Sequence, residues 1–225
     1  MKNIFLVDMD DTLLDFPRTE RENLKKTLAQ FGITADDALA SRFHEINDAL
    51  WKALERGEIS RERLKERRFE LLFEEYGFAK KIDIPAVARA FWRNFPNVCF
   101  PFEGALEFLE ELKARGRVYI VTNGGTVIQK THIADAGFLP FLDGVFISEE
   151  IGFNKPSLEY ANYVESHIAG YERSRAVWIG DSPTSDGQCA MNRGIDFILF
   201  SPHGRREHAG MQATSYRKVL ELLDL

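Results

Sequence analysis

The strongest chemical signal in the chain is the segment Asp8-Met9-Asp10-Asp11-Thr12, directly behind the short apolar run Ile4-Phe5-Leu6-Val7. Two carboxylates, Asp8 and Asp10, therefore project from the carboxyl end of what reads as a buried strand. Acidic side chains crowded at a strand end repel one another unless a cation sits among them, and such crowding marks a reaction site more often than a packing solution. A polar turn after a strand is the plain alternative. What separates the two is whether other polar groups fall in matching places.

They do so at three further strand ends. Arg117-Val118-Tyr119-Ile120-Val121 runs into Thr122-Asn123-Gly124-Gly125, after which Thr126-x-x-Gln129 reads as a capping box that opens a helix. Gly144-Val145-Phe146-Ile147 ends at Ser148, and a loop through Glu149, Glu150 and Gly152 leads to Lys155-Pro156. Ala176-Val177-Trp178-Ile179 runs into Gly180-Asp181-Ser182-Pro183-Thr184-Ser185-Asp186. In an open parallel sheet with intervening helices, ligands bind outside the carboxyl ends of the strands, so the four loops are expected to meet at one pocket.

The elements that must position these groups are legible between them. Leu106, Phe108, Leu109 and Leu112 form a helical stripe stopped by Gly116, and Tyr160, Tyr163, Val164 and Ile168 form another stopped by Gly170. Residues 195–200 supply a fifth strand and residues 216–223 a terminal helix. The alternation predicts an α/β fold: a doubly wound, mainly parallel sheet in three layers. One stretch breaks the pattern. Four helices are predicted between the first strand and about residue 97: from the capping box Thr19-x-x-Glu22 to Gly32, from Leu39 to Gly57, from Ser60 to Gly77, and from Pro85 to Pro96. The expected organisation is a core of residues 1–15 and 97–225 with a four-helix insert of residues 16–96.

Composition is compatible with this architecture without choosing a reaction. A chain of 225 residues, 44% hydrophobic, supports one full core and a smaller second one. A formal charge of -6 argues against a nucleic-acid polymer or an anionic membrane surface as the main partner. Cys99 and Cys189 have no metal-ligand spacing and read as buried thiols in a reducing compartment rather than a disulfide. No apolar run approaches a membrane span, and Asp8 interrupts the first one too early for a signal peptide, so a cytoplasmic location is the default.

The ordered motifs Asp8-x-Asp10-x-Thr12, Thr122-Asn123, Lys155-Pro156 and Gly180-Asp181 with Asp186 resemble those of the haloacid dehalogenase-like hydrolase superfamily, and the insert resembles its first type of helical cap on a Rossmann-like core. Within it, Asn47-x-x-Leu50-Trp51, Gly57-x-Ile59-Ser60, Leu64, Arg68-Phe69 and Ser148-Glu149-Glu150-x-Gly152 are similar to bacterial pyrimidine 5'-nucleotidases. Asp11 stands where glycine is frequent in the superfamily.

The resemblance implies a phosphatase, and charge arithmetic shows what such an enzyme needs. A carboxylate attacking a phosphate monoester dianion at ~4 Å and an effective dielectric near 20 meets ~8 kcal/mol of repulsion from two unit-charge pairs. A cation must offset it. The implied set is magnesium held by Asp8, the backbone carbonyl of Asp10 and Asp181, with Asp186 ligating indirectly or through water, and Lys155 as a second positive charge. Asp8 is then the nucleophile that forms an aspartyl-phosphate, and Asp10 the general acid and base. Thr122 and Asn123 would hold phosphoryl oxygens, helped by the helix beginning near Thr126. Thr122 could instead satisfy backbone at a strand end, and Asp181 and Asp186 could instead cap the following helix.

Phe16, Asn47, Trp51 and Arg68 in the insert are candidates for contact with a base or ribose, although a Trp at helical spacing also suits a bundle core. His44, His132 and His167 read as structural, and His203 and His208, beside Arg205 and Arg206, lack metal spacing. The expected partner is a small phosphate ester, a nucleoside monophosphate, acted on by a monomer or weak homodimer. Other readings stay open: a sugar-phosphate phosphatase, a phosphotransferase or mutase sharing every motif, and a noncatalytic ligand-binding module. A dehalogenase would need neither Asp10 nor a metal cluster, since a halide leaves without a proton.

Overall fold

The computed structural model describes residues 1–78, 82–204 and 208–224. The chain begins with β1 (Ile4–Val7) and continues into four helices, α1 (Phe16–Ala29), α2 (Asp37–Glu55), α3 (Arg61–Glu75) and α4 (Ile84–Asn94). There follow α5 (Ala105–Arg115), β2 (Arg117–Thr122), α6 (Thr126–Asp135), β3 (Gly144–Ile147), α7 (Ser148–Ile151) and α8 (Leu158–Ser166). The last elements are β4 (Ala176–Gly180), α9 (Gln188–Arg193), β5 (Asp196–Phe200), β6 (Met211–Ala213) and α10 (Tyr216–Leu223). Two compact units result, Met1–Asp15 with Cys99–Leu225, and Phe16–Val98.

The first unit is built on six parallel strands in the order β3-β2-β1-β4-β5-β6. Side chains alternate across the pleat and sort the core into two layers. Phe5, Val7, Ile120 and Ile179 face Phe108, Leu109 and Leu112 of α5 and Val219 of α10. Ile4, Leu6, Val121 and Trp178 face Tyr160, Ala161 and Val164 of α8 and Cys189 of α9. All four residues of β1 are fully buried, which is why that strand reads as an unbroken apolar run. Each such side chain contributes ~1.5–3 kcal/mol by leaving water.

After β1 the chain fills the β2 and β3 side of the sheet before crossing to β4, β5 and β6. The carboxyl ends of β1 and β4, paired through Val7 and Ile179, therefore flank the topological switch point where doubly wound sheets hold ligands.

The second unit is a helical bundle around the rings of Phe43, Phe69 and Phe91, whose centroids lie 5.1–5.5 Å apart in tilted and edge-on pairs. Side chains of Asp36, Ser60 and Asp83 accept backbone N–H bonds and start α2, α3 and α4. The capping-box reading of Thr19-x-x-Glu22 fails. α1 starts at Phe16, with Pro17 in its first turn, and Thr19 is buried inside the helix. Among the described residues no helix is long and apolar enough to cross a membrane. Both thiols are unpaired, Cys189 buried and Cys99 half-buried.

Candidate active site

Asp8 leaves β1 with its amide still bonded to the Ile179 carbonyl of β4 at 2.9 Å, so the sheet ladder itself fixes where its side chain begins. The chain then turns sharply: Leu13 and Leu14 N–H groups both donate to the Met9 carbonyl at 2.8 and 3.0 Å. That turn puts Asp11 at φ 61°, in the left-handed region, which accounts for glycine being suited to the position. It also brings Thr12 back to Asp8, where its hydroxyl donates to Oδ2 at 3.2 Å.

Lys155 approaches from the loop after α7, its peptide bond to Pro156 being cis. Asn123, just past β2, clamps that loop: its Oδ1 accepts the Lys155 N–H at 2.8 Å and its Nδ2 donates to the Lys155 carbonyl at 3.0 Å. The Lys155 Nζ, 2% exposed, donates to Asp8 Oδ1 at 2.5 Å, Asp186 Oδ1 at 2.6 Å and the Val121 carbonyl at 2.8 Å. Three acceptors satisfy all three ammonium protons.

Asp186 is fixed in turn by the indole N–H of Trp178 at 3.2 Å and the backbone N–H of Ser182 at 3.2 Å. Its carboxylate lies over Gly180, where any Cβ would collide with it. The segment Pro183–Gly187 forms one turn of π-helix, started by Ser182, whose hydroxyl accepts from the Ser185 N–H at 3.2 Å. Ser182, rather than Asp181 or Asp186, is thus the cap.

Asp8, Asp181 and Asp186 are buried and each offers a carboxylate oxygen within 4.8 Å of the others. The Lys155 ammonium bonds two of these three carboxylates, Asp8 and Asp186, and a hard oxygen set of this kind fits a divalent cation such as magnesium. Titration agrees. Burial pushes the Asp8 carboxyl up to about 8 despite the opposing pull of Lys155, and the charges of Asp186 and Asp10 add to the rise. A cation among these oxygens would restore the carboxylate at neutral pH. Burial likewise raises Asp10, and it opposes the charge on Lys155, where Asp186 and Asp8 outweigh it and hold the ammonium well above its usual range.

Asp10, half-buried, accepts from Gln129 Nε2 at 2.7 Å. The capping-box reading of Thr126-x-x-Gln129 is therefore wrong: α6 starts after Gly125 without a side-chain cap, and Glu149 Oε2 takes the Thr126 N–H at 2.7 Å. That engagement removes one amide expected to serve phosphate. Thr122 Oγ1 accepts from the Gly124 N–H at 3.0 Å, which leaves its own proton to donate.

The residues singled out in the insert lie in the helical bundle. Asn47 Oδ1 accepts from Arg68 Nη1 at 3.2 Å, and Asn47 Nδ2 donates to Glu20 Oε1 at 2.5 Å, all three side chains being buried. The Arg68 guanidinium sits 4.5 Å from the Phe91 ring centroid and 4.9 Å from that of Trp92. Phe16 and Trp51 are engaged elsewhere, against Phe95 and under Arg61. His44 bonds Glu20, His132 is buried in the first unit, and His167 bonds the Tyr163 carbonyl. His203 and His208 pack beside Phe102 and Phe197, and Arg205 and Arg206 lie outside the described residues.

Sequence reading missed Gln129 as a partner of Asp10 and Trp178 as a partner of Asp186. Neither left a usable signal: both sit at positions whose spacing also suits a cap or a core.

Comparison with known proteins gives the lineage. The chain is 35% identical over 224 residues to the pyrimidine 5'-nucleotidase PynA of Streptococcus pneumoniae, covering 97% of this chain and 94% of that one. It is 25% identical to the pyrimidine 5'-nucleotidase YjjG of Escherichia coli, covering 92% and 89%. The magnesium-bound crystal structure of the putative HAD-hydrolase YfnB from Bacillus subtilis superposes with a TM-score of 0.92 at 28% identity, covering 100% of this chain and 99% of that one. The haloacid dehalogenase-like hydrolase model matches residues 2–190, and with the acidic cluster at the switch point of the sheet this chain belongs to that family of enzymes.

Proposed function

We propose that the protein is a magnesium-dependent phosphatase that hydrolyses small phosphate monoesters through an aspartyl-phosphate, with pyrimidine nucleoside 5'-monophosphates as its substrates. One observation carries the chemistry: a buried ammonium shared between Asp8 and Asp186, with Asp181 completing an oxygen cluster, at the switch point of a doubly wound sheet. The substrate class is suggested by the similarity to PynA and YjjG.

In this reading the first unit is the catalytic core and the helical unit the cap. Magnesium, held by Asp8, Asp181 and the Asp10 backbone carbonyl, with Asp186 acting through water, would neutralise charge and polarise the phosphoryl group. Lys155 and Thr12 hold the Asp8 carboxylate from two sides, so the nucleophile enters the reaction already oriented. An Asp8 oxygen bonds to phosphorus as the ester bond breaks, and Asp10 gives its proton to the departing oxygen. Asp10, now a carboxylate, takes a proton from the water that cleaves phospho-Asp8, and both residues return to their starting states. Thr122 and Asn123 are assigned to the phosphoryl oxygens, Asn123 also through its hold on the Lys155 loop, and Lys155 contributes a second positive charge. Selection among nucleotides is assigned to Phe16, Asn47, Trp51 and Arg68. Two unpaired thiols suit a reducing cytoplasm, where nucleotides are found.

The test is phosphate release from a panel of nucleotides, sugar phosphates and acyl phosphates, with magnesium and with chelator. Release that needs magnesium, vanishes in Asp8→Asn and is fastest for UMP, dUMP or dTMP supports the proposal. A sugar-phosphate preference removes the nucleotide assignment, and magnesium-independent binding unchanged by Asp8→Asn removes catalysis altogether.

A further inference from the structure

We propose that Gln129 is the positioning residue for Asp10, fixing its acidic proton on Oδ1, and that residue 124 is glycine so that the Gln129 side chain can reach it. The inference rests on the reading of Asp10 as the general acid. Gln129 lies on α6 with 1% of its surface exposed, and its Nε2–H donates to Asp10 Oδ2 at 2.7 Å. An oxygen that accepts an amide hydrogen cannot also direct its own proton along that line, so the proton of neutral Asp10 belongs on Oδ1. One bond thus sets both the rotation of the carboxyl and the oxygen from which the proton leaves.

Two features show a contact shaped for this end. A Cβ at Gly124 would lie 2.6 Å from both Cγ and Cδ of Gln129, and it would strike Nε2. Gly124 has no positive φ to explain it, so the passage of this side chain is what its missing Cβ serves. The other end of the amide is also informative: Gln129 Oε1 is buried and has no hydrogen-bond partner among the described residues. A buried orphan acceptor destabilises the fold, and packing alone would be served better by an apolar residue.

The step it serves balances simply. As the bond between an Asp8 oxygen and phosphorus forms, the ester P–O bond breaks with its electron pair going to the ester oxygen. That oxygen takes the Asp10 Oδ1 proton and leaves as an alcohol. A ribose alkoxide needs that proton, whereas p-nitrophenolate departs without it. The two esters therefore report separately on the placement of the acid.

The experiment measures kcat/KM for UMP and for p-nitrophenyl phosphate, in magnesium, on the wild type, Gln129→Leu, Gly124→Ala and Asp10→Asn. For a chain of these steps kcat/KM reports events up to phosphorylation of Asp8. General acids contribute ~10²–10⁴-fold, so a misplaced one should lose ~10–100-fold on UMP and under ~3-fold on the aryl ester. That skew in both Gln129→Leu and Gly124→Ala, in the direction of Asp10→Asn, supports the proposal. Gly124→Ala keeps the amide and only displaces it, so it decides the matter should Gln129→Leu fold poorly. Equal losses on the two esters overturn the proposal. An Asp10→Asn variant without skew overturns it through its premise, and a wild type that cleaves neither ester overturns the phosphatase reading with it.

Discussion

Replacing Lys155 with methionine strands two buried carboxylates, and the structure sets the scale of the damage. At 2.5 Å from Asp8 Oδ1 and 2.6 Å from Asp186 Oδ1, an effective dielectric near 20 gives each contact a gross attraction of ~6–7 kcal/mol. Desolvation of the three groups cancels most of it, and breaking a buried pair by removing one partner costs ~3–5 kcal/mol. Lys155→Met is expected to lose that much stability in chelator. Phosphate release should fall ~10²–10³-fold as the site loses a charge that meets the dianion. A second substitution separates repulsion from packing. In Lys155→Met with Asp186→Asn one stranded charge is gone, and although the single amide oxygen keeps only one of the bonds from Trp178 and Ser182, ~1–3 kcal/mol should return. Urea denaturation followed by far-ultraviolet circular dichroism measures both. A loss below ~1 kcal/mol in the single variant, or a double variant at the sum of the two singles, would refute the shared-ammonium account.

Three further outcomes follow from the same geometry. Gly180→Ala places a methyl group on the Asp186 carboxylate, so it should cost ~1–3 kcal/mol and lower phosphate release as Lys155 shifts, checked by thermal melting and steady-state rates. Asp11→Val forces a β-branched residue to φ 61° and should cost ~1–2 kcal/mol in a thermal melt, whereas Asp11→Gly should change stability little. Stabilisation by magnesium should grow with pH. The Asp8 carboxyl, lifted from 3.8 to about 8 on folding, stabilises the metal-free protein below pH ~4 and loses that contribution as pH rises through about 8. Magnesium displaces that proton, so its effect on the melting temperature should be larger at pH 8 than at pH 5; the reverse order would exclude Asp8 as a ligand.

Much of this site was legible because strand ends carry it. Asp8, Thr122 and Asp181 stand at the ends of apolar runs whose burial the sheet explains, and the four helical stripes of the second unit are bounded by glycines and prolines. What escaped was lateral. β6 is three residues, Met211–Ala213, too short to show alternation, and only its pairing with β5 makes it a strand. The pattern Thr126-x-x-Gln129 satisfies a capping rule locally, yet tertiary geometry gives Gln129 to Asp10 instead. Trp178 reads as core and is core, but its indole N–H reaches Asp186, a contact that depends on the π-helical turn after β4. Asn47 and Arg68 are candidates for base or ribose contact by sequence, and nothing in their spacing shows that the bundle buries them together with Glu20 around aromatic rings.

The central claim is that Asp8 carries the phosphoryl group. It is tested most directly by rapid quenching of Asp10→Asn, which lacks the base for the second step, during reaction with p-nitrophenyl phosphate in magnesium, followed by mass spectrometry of the peptide containing Asp8. The account predicts a single phosphoryl adduct on Asp8 that is absent in chelator and in Asp8→Asn. Nitrophenol released in magnesium with Asp8 unmodified at every quench time would contradict it.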